Sequence, residues 1–306
     1  MRNNVAEALI TAGRWYVRHA PGAPGKGPLA AALNPRLRDR PRRAVVRARC
    51  GSRMAVDTQD LIQRYIYMFG AWEPHMTRWL QRRLQPGDTF VDVGANIGYF
   101  SLLASQLVGP SGHVVAIEAS PLFHRKLVAH VELNAGSNVR TVNAAVSAER
   151  EKLLFTLASS TNMGANSAVP YAGTAESTFE AEAQPLPDLL TPTEIAGARI
   201  IKIDVEGAEG RVVRGMAPLL AKLRSDAEIT VEVTPERMEQ LGDSADELLS
   251  TMRDHGFHMY RLANDYAPES YPAALARVGR GPVRWRGPMV GECDLVFSRT
   301  DAEMLA

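Results

Sequence analysis

The chain has 306 residues, 45% of them hydrophobic, and its 35 Lys and Arg nearly balance 34 Asp and Glu, giving a formal net charge of +1. This composition excludes disorder throughout the chain, and the charge lacks the surplus of cations on which non-specific nucleic-acid binding depends. The length is close to the limit for one hydrophobic core and predicts one large α/β domain with an added segment, or at most two domains.

The cysteines and the apolar segments indicate the cellular compartment. Cys50 and Cys293 are far apart and have no Cys-x-x-Cys or Cys/His spacing around them, so they predict neither a disulfide framework nor a metal site. No apolar run approaches the roughly 18 residues that span a bilayer. The apolar stretch of residues 5–10 is interrupted by Glu7, which does not fit a secretory signal. We expect a soluble, cytoplasmic protein without a membrane partner.

The amino-terminal residues predict an extension that precedes the main domain. The predicted elements are a helix over residues 5–19, a hairpin of residues 44–49 and 52–56, and a helix over residues 58–69. We expect residues 1–70 to form a helical and hairpin extension that serves as a cap or a dimerisation arm. Residues 71–306 are expected to form the main domain.

Two segments of this extension are unfavourable for regular structure. Proline and glycine in residues 20–28 exclude a regular helix there. Arginines dominate residues 36–43 and predict a solvated linker, with an anion-facing arm as the alternative.

From residue 74 onward, short apolar runs alternate with helical segments, which predicts an α/β fold with a mostly parallel sheet covered by helices. The predicted strands are residues 89–93, 113–117, 139–146, 199–205, 228–233, 258–262 and 294–298. An extra strand over residues 151–157 precedes a polar stretch, residues 159–184, which interrupts the alternation and predicts a long functional loop. Within it, residues 162–167 are expected either to select the acceptor or to form a surface loop.

The first of these strands leads into the sequence Asp92-Val93-Gly94-Ala95-Asn96-Ile97-Gly98-Tyr99. A strand, a glycine turn and a helix start direct backbone N–H groups towards the carboxyl edge of the sheet, where open α/β sheets bind ligands. Ala95 and Asn96 stand where a dinucleotide-binding motif needs its second glycine, which argues against NAD or FAD. The carboxylate of Asp92 would repel a pyrophosphate and attract a cation such as the ammonium group of S-adenosylmethionine.

The next two strands end in residues suited to an adenosine ligand. Glu118 ends the second strand, where a carboxylate accepts hydrogen bonds from a ribose hydroxyl. A glutamate in a surface loop is the alternative. Asn143, Ala144 and Ala145 end the third strand and supply an amide and small side chains for an adenine edge, although asparagine is also a common turn residue.

The fourth strand ends in the sequence Lys202-Ile203-Asp204-Val205-Glu206-Gly207-Ala208-Glu209. Alternation along a strand puts Asp204 and Glu206 on one side. A carboxyl that is desolvated beside the other would have a raised pKa and would act as a general base. In the alternative, Glu206 caps the next helix and Asp204 orients other groups. A divalent metal held by Asp204, Glu206, Glu209 and Glu232 ranks last, and we assign no metal site.

These two motifs, with Glu118, closely resemble the FkbM family of class I S-adenosylmethionine-dependent methyltransferases. The resemblance covers roughly residues 70–235, and Gly70-Ala71-Trp72-Glu73-Pro74 looks like the entry segment of the family. It implies a Rossmann-like sheet of seven mostly parallel strands, flanked by helices, whose last strand is antiparallel. It also implies O-methylation of a hydroxyl on a natural product or a sugar, with S-adenosyl-L-methionine as cofactor. The chain departs from the family, which often has Glu-Pro after the second strand, in having Glu118-Ala119-Ser120-Pro121.

The resemblance further implies which residues form the site. The residues expected at the cofactor are Glu73, Asp92, Gly94, Ala95, Asn96, Gly98, Tyr99, Glu118, Ala119, Ser120, Asn143, Ala144, Ala145 and Asp204. The glycine turn would bind the methionine part, Glu118 the ribose and residues 143–145 the adenine. Asp204, near the transferred methyl group, and Glu206 are the candidate catalytic residues.

Other functions and residues are weighed against this hypothesis. An N-methyltransferase, a nicotinamide-dependent oxidoreductase and a non-catalytic scaffold are the alternatives. His75 is a secondary candidate for the base, whereas the other histidines predict surface or packing positions. The expected partners are a small-molecule acceptor and, for the amino-terminal arm, a second copy of the chain, but not nucleic acid.

Overall fold

The structure is a computed structural model that describes residues 2–22, 24–157, 166–167, 177–277, 280–289 and 291–305. The helices are α1 (Arg2–His19), α2 (Lys26–Asp39), α3 (Leu61–Phe69), α4 (Pro74–Arg83), α5 (Tyr99–Val108), α6 (Pro121–Leu133), α7 (Leu186–Leu189), α8 (Pro192–Gly197), α9 (Glu209–Leu220), α10 (Pro235–Gln240), α11 (Ala245–Asp254) and α12 (Tyr271–Ala276). The strands are β1 (Arg43–Arg47), β2 (Arg53–Asp57), β3 (Thr89–Val93), β4 (His113–Ile117), β5 (Val139–Val142), β6 (Ala145–Val146), β7 (Glu151–Leu157), β8 (Asn166–Ser167), β9 (Ser177–Gln184), β10 (Ala198–Ile203), β11 (Glu228–Val233), β12 (His258–Leu262), β13 (Val283–Arg284) and β14 (Cys293–Ser298).

The chain divides into two compact units. Within the described parts of the chain, the amino-terminal unit contains residues 2–78 and 264–277, and the larger unit contains the remainder. Among the described residues, no helix is long and apolar enough to cross a membrane.

The amino-terminal unit contains the predicted helices and the predicted hairpin, but it also has a helix that the composition excluded. Residues 26–39 form α2, so the exclusion of a helix is wrong for residues 26–28 and the linker prediction is wrong for residues 36–39. Pro28 lies in the first turn of α2, where a backbone N–H would have no partner within the helix. Ala30, Leu33 and Leu37 lie on one face and are buried, so packing of this face stabilises the helix.

The larger unit is built on an eight-stranded sheet in the order β13-β12-β14-β11-β10-β3-β4-β5. Strands β5, β4, β3, β10 and β11 are parallel, and β14 pairs antiparallel with both β11 and β12, which confirms the Rossmann-like prediction. The short β13 is an addition to the predicted strands. The predicted strand over residues 139–146 is divided, because β5 joins this sheet whereas β6 joins another.

Continuous apolar runs form the central strands because helices cover both faces of the sheet. Val91, Ile201 and Ile229 lie on three adjacent strands and are fully buried in the main core. Met216 of α9 and Met252 of α11 belong to the same core. This packing fixes the carboxyl ends of β3 and β10, where the predicted site residues lie.

The second sheet of this unit has the order β6-β9-β7-β8. It confirms the extra strand β7, but the prediction of a loop through residues 159–184 is wrong for residues 166–167 and 177–184, which pair antiparallel with β7. In β9, Phe179, Ala181 and Ala183 alternate with polar residues and pack with Phe155 of β7. Residues 162–165 of the predicted acceptor-selecting segment lie outside the described residues.

Candidate functional site

The glycine turn after β3 brings the ends of three strands together. The backbone N–H groups of Gly94 and Ala95 both donate to the carbonyl oxygen of Ile117 at 3.0 Å, and the N–H of Asp204 donates to Val93 at 3.0 Å. Gly94 has a φ of 83°, and a Cβ atom there would overlap the carbonyl oxygen of Asp204. Glycine is required because the backbone is left-handed and the end of β10 lies directly against it.

The remainder of the turn starts α5. Asn96 has a φ of 51°, and its side-chain oxygen accepts a hydrogen bond from the N–H of Ile97 at 2.7 Å. Gly98, with a φ of 87°, caps the helix, and a Cβ there would lie 2.5 Å from the Cδ1 atom of Leu127. The side chain of Tyr99 is buried. The turn residues expected at the cofactor are thus contiguous in space.

Asp92 is a buried carboxylate beside this turn, with only 1% of its surface exposed. Its Oδ2 atom accepts a hydrogen bond from the hydroxyl of Ser101 at 2.5 Å, whereas its Oδ1 atom has no hydrogen-bond partner. Burial raises the pKa of Asp92, and the charge of Lys202 opposes that rise. A buried acceptor without a donor costs free energy that a cationic ligand would recover.

Glu118 connects the turn to the end of β4. One carboxylate oxygen accepts the N–H of Asn96 at 2.7 Å, and the other accepts the N–H of Ser120 at 2.8 Å. Burial raises the pKa of Glu118 to about 7, although both hydrogen bonds act to lower it. Each oxygen keeps a further lone pair, so the carboxylate retains the capacity to accept ribose hydroxyls.

The predicted adenine residues lie next to this loop. The side-chain amide of Asn143 donates to the carbonyl oxygens of Glu118 at 2.8 Å and Ala119 at 3.1 Å. Ala144 is buried, and Ala145 and Ala119 pack in the small apolar cluster of the second sheet.

Sequence reasoning missed the aromatic pair in this cluster. The rings of Phe155 and Phe179 are stacked, with centroids 5.1 Å apart. The signal was available in the apolar alternation of β9, which the many polar residues of this stretch obscured.

Asp204 lies just beyond β10 and contacts Lys202. The Nζ atom of Lys202 is 2.7 Å from the Oδ2 atom of Asp204 and 5.1 Å from the ring centroid of Phe100. Burial acts to raise the pKa of Asp204, but the charge and the hydrogen bond of Lys202 hold it below its usual value. The expected rise in pKa is therefore wrong for Asp204. A lysine inside a buried strand was the signal for such a partner.

Glu206 is paired with a cation that sequence reasoning did not identify. Its carboxylate forms an ion pair with Arg237 of α10, and its backbone has a φ of 57°. Arg237 lies 31 residues further along the chain, so no local pattern indicated this contact.

One carboxylate group among the described residues could hold a divalent cation. It consists of Asp204, Glu206 and Glu232, whose candidate ligand atoms lie within 4.8 Å of one another. Lys202 and Arg237 already contact two of these carboxylates, so a metal would compete with them. Glu209 is outside this group and accepts the N–H of Gly207 at 2.9 Å, which stabilises the loop.

Glu73 and His75 belong to the amino-terminal unit. Glu73 is buried with a φ of 38°, and its carboxylate accepts the hydroxyl of Tyr266 at 3.2 Å. Its backbone N–H donates to Tyr271 at 3.3 Å. Burial and the nearby charge of Arg78 lower the pKa of His75. The cofactor role of Glu73 stays a prediction.

Comparison with known proteins identifies a matching family. The family model described as a methyltransferase FkbM domain matches residues 92–259, which is more than half of the chain. An arsenite methyltransferase from Halobacterium salinarum is 38% identical over 56 residues, which are 18% of this chain and 14% of that protein. The chain thus matches only a small part of that relative.

Solved structures show more distant similarity. The methyltransferase FkbM from Methylobacillus flagellatus has a TM-score of 0.42 and 12% identity, over 78% of this chain and 52% of that chain. The fibrillarin from Aeropyrum pernix, a complex with natively bound S-adenosyl-L-methionine, has a TM-score of 0.41 and 14% identity, over 83% of this chain and 92% of that chain. The family assignment depends on the family model, not on these structures.

Proposed function

Because the chain belongs to the FkbM methyltransferase family, we propose that it transfers the methyl group of S-adenosyl-L-methionine to a hydroxyl oxygen of a small natural product or a sugar. The proposal includes a cytoplasmic location and a biosynthetic role. Residues 71–306 act as the methyltransferase domain, and residues 1–70 as a cap or a dimerisation arm.

The observation that carries this proposal is the arrangement of carboxylates at the carboxyl ends of adjacent strands. Asp92 of β3, Glu118 after β4 and Asp204 after β10 surround the glycine turn. The Oδ1 atom of Asp92 has no hydrogen-bond donor, and the carboxylate of Glu118 can accept further hydrogen bonds. A ligand with a cationic end and a ribose fits this set, whereas a pyrophosphate would be repelled by it.

Each part of the cofactor has matching residues in the chain. Gly94, Asn96 and Gly98, together with Asp92 and the backbone of Ala95 and Tyr99, would bind the methionine part. Glu118, with Ala119 and Ser120 after it in the chain, would accept the ribose hydroxyls. Asn143, Ala144 and Ala145 would contact the adenine edge, and Glu73 is retained as a further cofactor-binding residue.

Bound S-adenosyl-L-methionine supplies an activated methyl group, and the side chains of the site position the acceptor and remove its proton. The lowered pKa of Asp204 keeps this carboxylate ionised at neutral pH, so it can accept a proton, but it also makes Asp204 a weaker base than a carboxylate with a pKa near 7. During transfer, Asp204 would accept the proton that the acceptor hydroxyl loses. Glu206, held by Arg237, orients the acceptor, and alignment of the reacting atoms supplies most of the rate enhancement.

The first test is thermal unfolding of the full chain with S-adenosylhomocysteine, S-adenosylmethionine or NAD in separate titrations. At about 100 times its dissociation constant, a ligand stabilises the native state by about 2.7 kcal/mol, which raises Tm by several degrees. Stabilisation by the two adenosyl ligands alone supports the proposal. Stabilisation by NAD alone would support an oxidoreductase, and no response to any ligand would favour a non-catalytic scaffold.

The second test concerns the catalytic residues. We expect Asp204→Asn to lower turnover about 100-fold or more, because it removes the proton acceptor, while Glu206→Gln gives a smaller loss through acceptor orientation. Both variants are first titrated with S-adenosylhomocysteine to verify cofactor binding. Native turnover in Asp204→Asn would contradict the assigned base. Mass analysis that locates the methyl group on nitrogen would favour an N-methyltransferase.

A further inference from the structure

The small net charge of the chain is the sum of two units whose net charges have opposite signs. Residues 1–78 and 264–279 contain 15 Lys and Arg against 7 Asp and Glu, whereas the remaining residues contain 20 against 27. The amino-terminal unit is therefore strongly basic, and this surplus is not used by the proposed chemistry. Such asymmetry is typical of a segment that meets an anionic surface.

Helix α1 has three flanks with different environments. Ile10 and Val17 are buried, and Gly13 faces Leu33 of α2. On the second flank, Arg14 and Arg18 donate to the carbonyl oxygen of Tyr67, Arg14 at 2.8 Å. These two flanks account for the packing of α1 in its own unit.

The third flank of α1 is exposed and mostly apolar, with the ring of His19 beside that of Trp15. Leu9 is 67% exposed, Trp15 is 61% exposed and Tyr16 is 37% exposed, and Ala12 lies between them. At 100° per residue, these four side chains fall on one side of the helix. Leucine and tryptophan exposed to this extent on one face indicate a surface that is covered by something else.

The neighbouring hairpin adds exposed cations around another apolar side chain. Arg43, Val45 and Arg47 alternate along β1 on one face, and Arg53 pairs with Arg47 across the hairpin. All four are exposed, Val45 by 55%. The guanidinium of Arg18 on α1 contacts the carbonyl oxygen of Arg47, so the helix and the hairpin are neighbours within the unit.

We propose that α1 and the β1–β2 hairpin form a binding surface for an anionic lipid bilayer. Helix α1 lies in the plane of the interface with Leu9 and Trp15 inserted, and the hairpin arginines contact lipid phosphates. A helix with tryptophan and leucine on one face and nearby basic residues has this mode of binding. The expectation of no membrane partner rested on the lack of a segment long enough to span a bilayer, and binding at the surface of a bilayer needs no such segment.

The chemistry of this surface favours lipid over the other anionic or apolar partners. Nucleic acid would use the arginines, but it offers no apolar interior for Leu9 and Val45. A second copy docked through the same surface would bring two units of like net charge together. This inference does not depend on the proposed methyl transfer.

Vesicle co-sedimentation of the full chain tests the proposal. We expect binding to vesicles of equal parts phosphatidylglycerol and phosphatidylcholine, at least tenfold weaker binding to pure phosphatidylcholine, and loss of binding as salt rises. The double variant Leu9→Ser/Trp15→Ser and the double variant Arg47→Ser/Arg53→Ser should each reduce binding at least tenfold. The tryptophan fluorescence of the parent chain should shift to shorter wavelength on binding to vesicles. Trp15→Phe should bind without this shift.

Matched controls lie on exposed positions of the larger unit. Leu154→Ser, at a position 58% exposed, and Arg125→Ser should bind these vesicles as the parent chain does. The proposal would be overturned if the control variants lost as much vesicle binding as the double variants, or if both double variants bound vesicles as the parent chain does. Binding to a single-stranded RNA oligomer without binding to vesicles would identify nucleic acid as the partner instead. A mass that doubles with concentration only when Leu9 and Trp15 are present, without vesicle binding, would identify a second copy.

Discussion

At the scale of single residues, the site is determined by which partners compensate carboxylates that are partly or fully buried. Asp204 has Lys202 beside it, Glu206 has Arg237, and Glu118 has two backbone N–H groups. The chain positions of the acids were predictable, since they follow apolar strands. The ionisation states of these acids were not predictable, because burial raises the pKa of a carboxylate whereas cationic and hydrogen-bond-donating partners lower it.

Gly94→Ala tests the close approach of the turn to β10. The new Cβ would meet the carbonyl oxygen of Asp204 in a left-handed backbone, so we expect a loss of roughly 3 kcal/mol or more in unfolding free energy. Gly242→Ala is the matched control, because Gly242 has a φ of 76° with nothing within 4 Å of a Cβ. It should lose only about 1–2 kcal/mol from backbone strain. Equal losses in chemical denaturation would show that the contact with Asp204 is unimportant.

The raised pKa of Glu118 predicts a pH dependence of stability. The pKa of Glu118 is about 7 in the folded chain and near its ordinary value of 4.5 in the unfolded chain, so the folded state binds the extra proton between these values. Unfolding free energy should therefore fall as pH rises from about 4.5 to 7, by up to about 3 kcal/mol for this group.

Glu118→Gln removes this titration and provides the comparison. When both proteins are unfolded with denaturant between pH 5 and 8, the unfolding free energy of the variant should fall less steeply with rising pH than that of the parent chain. Burial also raises the pKa of Glu209 to about 7, so Glu209 should still add to the pH dependence of the unfolding free energy in both proteins. An identical slope in the two proteins would contradict the assignment to Glu118.

At the scale of elements, the central strands were predictable, whereas α2 and β9 were among the elements that were not. Strands β3, β4, β11 and β12 have the predicted bounds, because runs of apolar residues between turns leave little alternative. Helix α2 was missed because its prolines and arginines outweigh its apolar face in a local pattern. Strand β9 was missed because only its inner face is apolar.

The hydroxyl of Ser120 has a role at the start of α6 that can be separated from the site. It accepts the N–H of Phe123 at 3.4 Å as a helix cap, whereas the backbone N–H of Ser120 binds Glu118. Ser120→Ala should lower unfolding free energy by about 1 kcal/mol and leave S-adenosylhomocysteine affinity unchanged. Ser120→Thr should restore most of the stability. A tenfold loss of affinity in Ser120→Ala would instead show that the hydroxyl itself contacts the cofactor.

At the scale of the whole molecule, the division of charge matters more than its sum. Near the sequence pI of about 7.9, the chain as a whole is close to neutral. We expect it nevertheless to bind both cation and anion exchangers at that pH in low salt, through units of opposite sign. Substituting Arg47 and Arg53 by serine should weaken retention only on the cation exchanger. Absence of retention on either resin would indicate that the charges are too evenly distributed to act as surfaces.

Sequence alone was sufficient for the fold class, the glycine turn and the acidic residues at the ends of β3, β4 and β10. These features depend on local periodicity and on backbone conformations that few residue types adopt. Two further features depend on contacts between distant parts of the chain, namely the carbonyl of Asp204 against Gly94 and the ion pair of Arg237 with Glu206. The exposed face of α1 likewise depends on which side of the helix packs against its neighbours. Such contacts are fixed by packing, since which charges become buried together depends on how the elements meet.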